Sequence, residues 1–172
     1  YVSEQNRLTE QLALADGLWS LAQNAEAGSD AQLQFVKFFA QFARSDQQLA
    51  NVSALLNGDL KLASLIIDTD LRWELVTSLA VGGKITSELI DQELAGDNTA
   101  NGQKYHVAAI AALPDQGSKQ AMFTKLVATD ELSNALVNSA SLAFGRVLDP
   151  RSLQPFVSKY FENVLKIWED KT

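Results

Sequence analysis

The sequence has no cysteine, one histidine (His106), one methionine (Met122) and three prolines among its 172 residues. Without cysteine there is no disulfide scaffold, and the chain fits a reducing compartment, so a cytoplasmic location is expected. A single imidazole and no thiol leave too few of the ligands zinc favours, so no metal or cofactor site is expected in this chain. The basic residues, 14 against 21 acidic ones for a net charge of −7, are scattered singly. No run of them could neutralise successive phosphates, so nucleic acid is not an expected partner. No apolar run approaches the roughly 20 residues of a membrane helix, and no basic segment leads into a short apolar one, so neither a span nor a signal peptide is expected. The phosphate loop GxxxxGK[ST], the nucleophile elbow GxSxG, the metallopeptidase helix HExxH and the dinucleotide fingerprint are all missing. The chain opens on Tyr1 and its one methionine lies far inside, which predicts a fragment or a processed chain.

What is present is a globular composition, 47% hydrophobic and 20% charged, outside the regime of disordered chains and long enough for a sizeable core. Apolar residues recur at helical spacing throughout, and glycines punctuate them. Leu8, Leu12, Ala15, Trp19 and Ala22 define a first helix ending near Gly28. Ser29 with Gln32, and Ser45 with Gln48, are capping-box pairs that predict the starts of two more. The second of these three helices carries Phe35, Phe38, Phe39 and Phe42 on one stripe, and the third runs to Asn57. Residues 60–67 read as a connector. Asp70 is the expected cap of a helix bearing Leu71, Leu75, Val76 and Leu79 on one side and Trp73 and Ala80 on another, a pattern that requires burial from two directions. Ile85, Leu89, Ile90 and Leu94 form the next stripe. An alanine-dense interior helix is expected over residues 103–113, because small side chains permit close helix approach. Two stripes follow, Met122, Phe123, Leu126 and Val127, then Leu132, Leu136, Ala140 and Phe144. Asp149 before Pro150 opens a last, long helix with its stripe from Leu153 and Phe156 through Tyr160 and Phe161 to Trp168. Helix pairs opening at Asp70, Gln103 and Glu131, roughly 30 residues apart, resemble repeat units. The expectation is therefore an all-α superhelix of HEAT/armadillo-like antiparallel helix pairs, a single helical-repeat domain over residues 1–172 with one soft boundary near 60–67.

Few residues suggest chemistry. His106 is read as a hydrogen-bonded or partly exposed structural histidine, with a ligand or base role as the alternative. Asp68 and Asp70, and Asp130 and Glu131, sit where helices start and oppose the positive helix end, whereas Glu88, Asp91 and Glu93 fall on a polar, solvated face. The turn at residues 97–102, DNTANG, could offer amides to an anion, or could simply cap the next helix through Asp97 or Asn98. Arg72 and Trp73 admit two readings. An arginine fork beside a large apolar face suits a carboxylate-bearing substrate or a neighbouring domain, and a core tryptophan with a structural arginine is the alternative. No catalytic residue emerges.

Certain motifs carry a resemblance. DTDLRW (Asp68, Asp70, Leu71, Arg72 and Trp73), ELAGDNTANG (Glu93, Leu94, Asp97, Asn98, Thr99 and Gly102), the Trp19 segment GLWSLAQNAEAG, and Glu131, Leu132, Asn134, Phe144, Gly145, Pro155, Val157, Tyr160, Phe161 and Trp168 resemble the C-terminal helical domain of bacterial, especially actinobacterial, zinc aminopeptidases of the aminopeptidase N type. This is the broad family of the endoplasmic-reticulum aminopeptidases. The resemblance implies a parent hydrolase of the membrane alanyl aminopeptidase type, whose zinc, HExxH motif and GxMEN-type motif lie in an N-terminal catalytic domain of the same polypeptide. It also implies that this chain is non-catalytic, covers the active-site chamber and contributes to the access and binding of peptide substrate, with Arg72 and Trp73 as possible substrate or interdomain contacts. The alternative is an independent helical-repeat scaffold for a protein partner.

Overall fold

The computed structural model describes residues 2–171, and the side chains of all of these except residues 4, 166–168, 170 and 171. Trp168, expected on the last stripe, lies outside the described side chains. The described residues form nine α-helices and one 3-10 turn with no strand, so the fold is all-α. They divide into two compact units, the first ending at Gly82 and the second opening at Gly83. The boundary anticipated near 60–67 is instead a connector inside the first unit.

The first unit contains α1 (Glu4–Asn24), α2 (Asp30–Phe42), α3 (Asp46–Asn57) and α4 (Thr69–Val81). Both capping serines act as expected: Ser29 Oγ accepts from Gln32 N at 3.1 Å and Ser45 Oγ from Gln48 N at 3.2 Å. Each glutamine also leaves its own helix. Gln48 Oε1 accepts from the Arg44 and Ser45 amides while its Nε2 donates to Asp16 Oδ1 at 2.8 Å and to Leu12 O at 3.2 Å, fastening α3 to α1. Gln32 accepts from Gly28 N and donates to Ala22 O, closing the α1–α2 turn. At the other end of α3, Gly58 takes the left-handed conformation, φ 79°, that terminates a helix at least cost to glycine.

Two expectations about this unit need correcting. The cap of α4 is Asp68, whose Oδ1 accepts from Leu71 N at 2.8 Å, and Asp70 lies inside the first turn. On α2 the buried line is Gln32, Val36, Phe39 and Ala40, and Phe38 is 46% exposed. Phe39 alone of the four rings is fully enclosed, packed on Trp19 with centroids 4.7 Å apart. The reading of α4 as a helix approached from more than one side holds. Leu71, Trp73 and every residue from Leu75 to Val81 are buried, and each large apolar side chain so enclosed contributes about 1.5–3 kcal/mol. Its buried hydroxyls are satisfied, with Ser78 Oγ donating across to Ala40 O on α2 at 2.6 Å and Thr77 Oγ1 within the helix to Trp73 O at 2.8 Å.

The second unit contains α5 (Ser87–Gly96), α6 (Ala100–Ala112), α7 (Gln116–Ala128), α8 (Asn134–Phe144), a 3-10 turn (Pro150–Leu153) and α9 (Gln154–Lys171). The alanine-dense helix α6 is interior as expected. It packs most extensively on α8, where Ala111 on one side and Ala140 and Ala143 on the other leave little between the helix axes. Val107 and Met122 complete the buried centre, and Phe123, Phe144 and Phe156 meet as an aromatic cluster with centroids 5.2 to 6.2 Å apart.

Here too some ends differ from expectation. Asp149 caps the 3-10 turn beginning at Pro150, and α9 starts only after it. The stripe of α9 is largely uncovered: Phe156 is buried, but Val157, Tyr160, Phe161 and Leu165 are exposed, the last at 77%.

Candidate functional site

Arg72 and Trp73 are neighbours on α4 with different surroundings. Trp73 is 3% exposed and belongs to the core of the first unit. Arg72 is half-buried, and its Nη1 donates to Leu56 O at 3.3 Å, supplying a donor to the last turn of α3, where carbonyls have no partner within the helix.

His106 lies on α6 and its Nε2 is 2.6 Å from Asp91 Oδ1 on α5, with the side chains 23% and 63% exposed. It is thus the hydrogen-bonded, partly exposed histidine expected from the sequence. The pairing also amends the reading of Asp91 as merely solvated, since this carboxylate links two helices. Among the described residues no group of three or more His, Cys, Asp and Glu side chains is arranged to hold a metal ion. The donor set does not fit a zinc centre.

The DNTANG turn resolves into a cap. Thr99, rather than Asp97 or Asn98, is the N-cap of α6: its Oγ1 accepts from Gly102 N at 3.0 Å and donates to Asp97 Oδ1 at 2.9 Å. Gly102 sits so close to Asp97 that a Cβ there would fall on the Asp97 carbonyl oxygen. The space an anion would need is filled by the Asp97 carboxylate, and the glycine serves close approach.

Two features of the second unit were not singled out from sequence. The first is Lys119, fully buried on α7. Its ammonium donates to Ala111 O at 2.7 Å and Phe144 O at 2.8 Å, and lies 4.7 Å from the centroid of the Phe144 ring. One cation therefore joins the C-terminal ends of α6 and α8, where both helix dipoles are negative. Desolvation lowers its pKa from the usual 10.5 to about 8, opposed by the charge of Asp115. Asp115 is the N-cap of α7, and the Ser118 amide it accepts at 2.8 Å holds its carboxyl below the ordinary range. The sequence carried a faint signal, because Lys119 stands one helical step before Met122 and Phe123 on the stripe of α7.

The second is a groove of about 270 Å³ between α6 and α8. Asn101, Lys104, Tyr105 and Ala108 line it from α6, and Ser139, Leu142, Ala143 and Arg146 from α8 and the residues just after it. Both walls show the helical spacing i, i+3, i+4, i+7. Lys104 and Arg146 are each half-buried, and neither side chain has an ion pair or hydrogen bond among the described residues. No sequence pattern announces this pair, which only the packing of α6 on α8 brings together.

Comparison with known proteins places these elements. The family model of the ERAP1-like C-terminal domain matches residues 5–172. The chain is also 34% identical, over 148 residues, to a protein named Aminopeptidase N from Streptomyces lividans. That alignment takes in 86% of this chain and 17% of the Streptomyces protein, so the chain corresponds to a small part of a much longer relative. With nearly its whole length matched, the chain belongs to the family of ERAP1-like C-terminal domains.

Proposed function

We propose that this chain is the non-catalytic C-terminal domain of a zinc metallo-aminopeptidase, built of HEAT/armadillo-like helix pairs, and that it covers an active-site chamber supplied by another domain of the same polypeptide. In that role it governs which peptides enter and helps hold them, without touching the chemical step. The observation that carries the reading is the family match over residues 5–172 together with the 34% identity to an aminopeptidase N. The zinc then belongs to the catalytic domain, since the residues here do not suit it and His106 is engaged with Asp91. Peptide is the substrate and the cytoplasm the compartment on this reading. Among the described residues no helix is long and apolar enough to cross a membrane. Arg72 is the proposed polar contact to substrate or to the catalytic domain, with Trp73 bracing it from within the core.

The test is removal of this segment from the full-length parent enzyme. Turnover of peptides of increasing length should lose its length preference while the zinc content stays at one equivalent. A length profile identical to that of the intact enzyme would refute the covering role. Arg72→Ala in the full-length enzyme should raise KM for longer peptides, and unchanged kinetics would dismiss Arg72 as a contact.

A further inference from the structure

We propose that Asn57 is a site of spontaneous modification, at which the side-chain amide becomes a carboxylate through a cyclic imide formed with the backbone nitrogen of Gly58. Asparagine is a thermolabile residue, and the reaction is fastest where the next residue has no Cβ to shield its nitrogen. The Gly58 nitrogen gives up its proton and attacks the side-chain carbonyl carbon of Asn57. A C–N bond closes a five-membered ring, the bond to Nδ2 breaks, and ammonia leaves with that proton. Water then opens the ring at either carbonyl. Attack on the former side-chain carbonyl gives aspartate, and attack on the main-chain carbonyl gives isoaspartate, whose chain continues through the old side chain.

Three dipeptides in the sequence could close such a ring: Asp16-Gly17, Asn57-Gly58 and Asn101-Gly102. The structure separates them. Asp16 and Gly17 lie in the middle of α1, and the Asp16 carboxylate is held by Gln48 Nε2 at 2.8 Å. Gly102 is buried in the first turn of α6, its nitrogen donates to Thr99 Oγ1 at 3.0 Å, and the Asp97 backbone is packed against it. Asn57, in contrast, is the last residue of α3, and both it and Gly58 are exposed. A Cβ on Gly58 would meet nothing within 4 Å, so there is room for the ring and for water. The restraints are slight: Asn57 Nδ2 reaches Ser53 Oγ only at 3.5 Å, and Gly58 N donates to Leu55 O at 3.2 Å at a helix end, where opening costs least.

The product acts on the same helix end. A carboxylate at position 57 sits at the negative pole of α3 with Asp59 close by in the chain, an unfavourable place for it. Isoaspartate also adds a main-chain methylene before Gly58, out of register with the Leu60 N to Ala54 O bond of 3.0 Å that closes the helix. Arg72 Nη1 donates to Leu56 O beside it, so conversion loosens the end of α3 and the anchor it gives Arg72. The proposal holds or fails independently of the aminopeptidase role.

The experiment incubates the complete 172-residue chain at mildly alkaline pH, folded and in urea, and follows it by digestion and mass spectrometry. In the folded chain the segment holding Asn57 should gain the mass of water less that of ammonia, at least roughly tenfold faster than the segment holding Asn101, whose reaction must first open α6. The same segment should become a substrate for an isoaspartate-directed carboxyl methyltransferase supplied with a labelled methyl donor. In urea, where only the local sequence acts, the two asparagines should convert at similar rates. Asn57→Gln, whose ring would be six-membered, should abolish the gain at this position. After equal incubation its urea midpoint should be unchanged while that of the wild type falls. Equal rates at Asn57 and Asn101 in the folded chain, or no gain at Asn57 while the chain in urea converts, would overturn the assignment. A converted wild type with an unchanged midpoint would overturn its effect on α3.

Discussion

Lys119 is where a single side chain carries the most. Its ammonium is fully enclosed and bonded to the carbonyls of Ala111 and Phe144. Replacing it by methionine removes a buried charge but leaves two helix-end carbonyls without their donor, and the second effect dominates because orphaned acceptors cost about 1–3 kcal/mol each. Lys119→Met should therefore unfold at lower denaturant at pH 7. The sign of the pH dependence follows from the depressed pKa. Below about pH 8 both folded and unfolded lysines are charged, and the burial cost is present in full. From about 8 to 10.5 the folded side chain is neutral while the unfolded one is still charged, so that cost is relieved and stability rises. The wild-type advantage over Lys119→Met should grow by about 1.4 kcal/mol per pH unit across that window, and a constant difference would show that the burial cost is absent. Gly102→Ala should also destabilise, by about 1–3 kcal/mol, because its new methyl group meets the fixed Asp97 backbone. Little of this was legible in the sequence. Lysine is normally an exposed residue, so its place on the α7 stripe did not outweigh its type. Trp73 was open to both a core and a contact reading, because helical spacing states which residues share a face and nothing about what covers that face.

At the scale of elements, helix starts marked by a serine–glutamine capping pair were readable, whereas the Ser133 start of α8 and those with competing acids were not. Ser29 and Ser45 each stand three residues before a glutamine, a pairing with one register. Asp68 and Asp70 both precede the apolar run of α4, and the choice between them is made by the packing of Leu71, Leu75 and Leu79, which the local sequence does not contain. Gln48 exceeds its capping role, since its amide reaches Asp16 and Leu12 on α1. Gln48→Ala should cost about 2–3 kcal/mol, more than loss of a cap alone. Gln48→Glu should not rescue it, as the carboxylate keeps the acceptor for the Arg44 and Ser45 amides but opposes Asp16. Equal stability of Gln48→Glu and wild type in urea unfolding would show that the tie to α1 contributes nothing. On α9 the misjudged stripe has a different cause, for amphipathic spacing is the same whether the apolar face is covered or bare. Phe161→Ser and Leu165→Ser should leave the melting temperature of this chain within about 2 °C of wild type, as expected of substitutions in solvent.

For the molecule as a whole, the all-α class followed from periodicity alone, and the family from motifs that the matched length bears out. The division at Gly82 and Gly83 could not be read, because two glycines there are indistinguishable from those that end any helix. Neither could the Lys104 and Arg146 groove, whose walls come from helices distant in the chain. Absence of cysteine has a plain outcome at this scale: thermal unfolding of the chain should be the same with and without reductant, and a melting point that shifts on adding a thiol would point to a process outside the chain's own chemistry.

The enclosed ammonium of Lys119 is also a clock. Amine-acylating reagents attack the neutral, solvent-accessible form, and in the folded chain this nitrogen has no accessible surface. Its acylation must wait for the second unit to open, whereas exposed lysines such as Lys125 are tagged at once. Peptide mass mapping of Lys119 against Lys125 over time therefore yields the opening free energy of that unit from the native protein, with no denaturant.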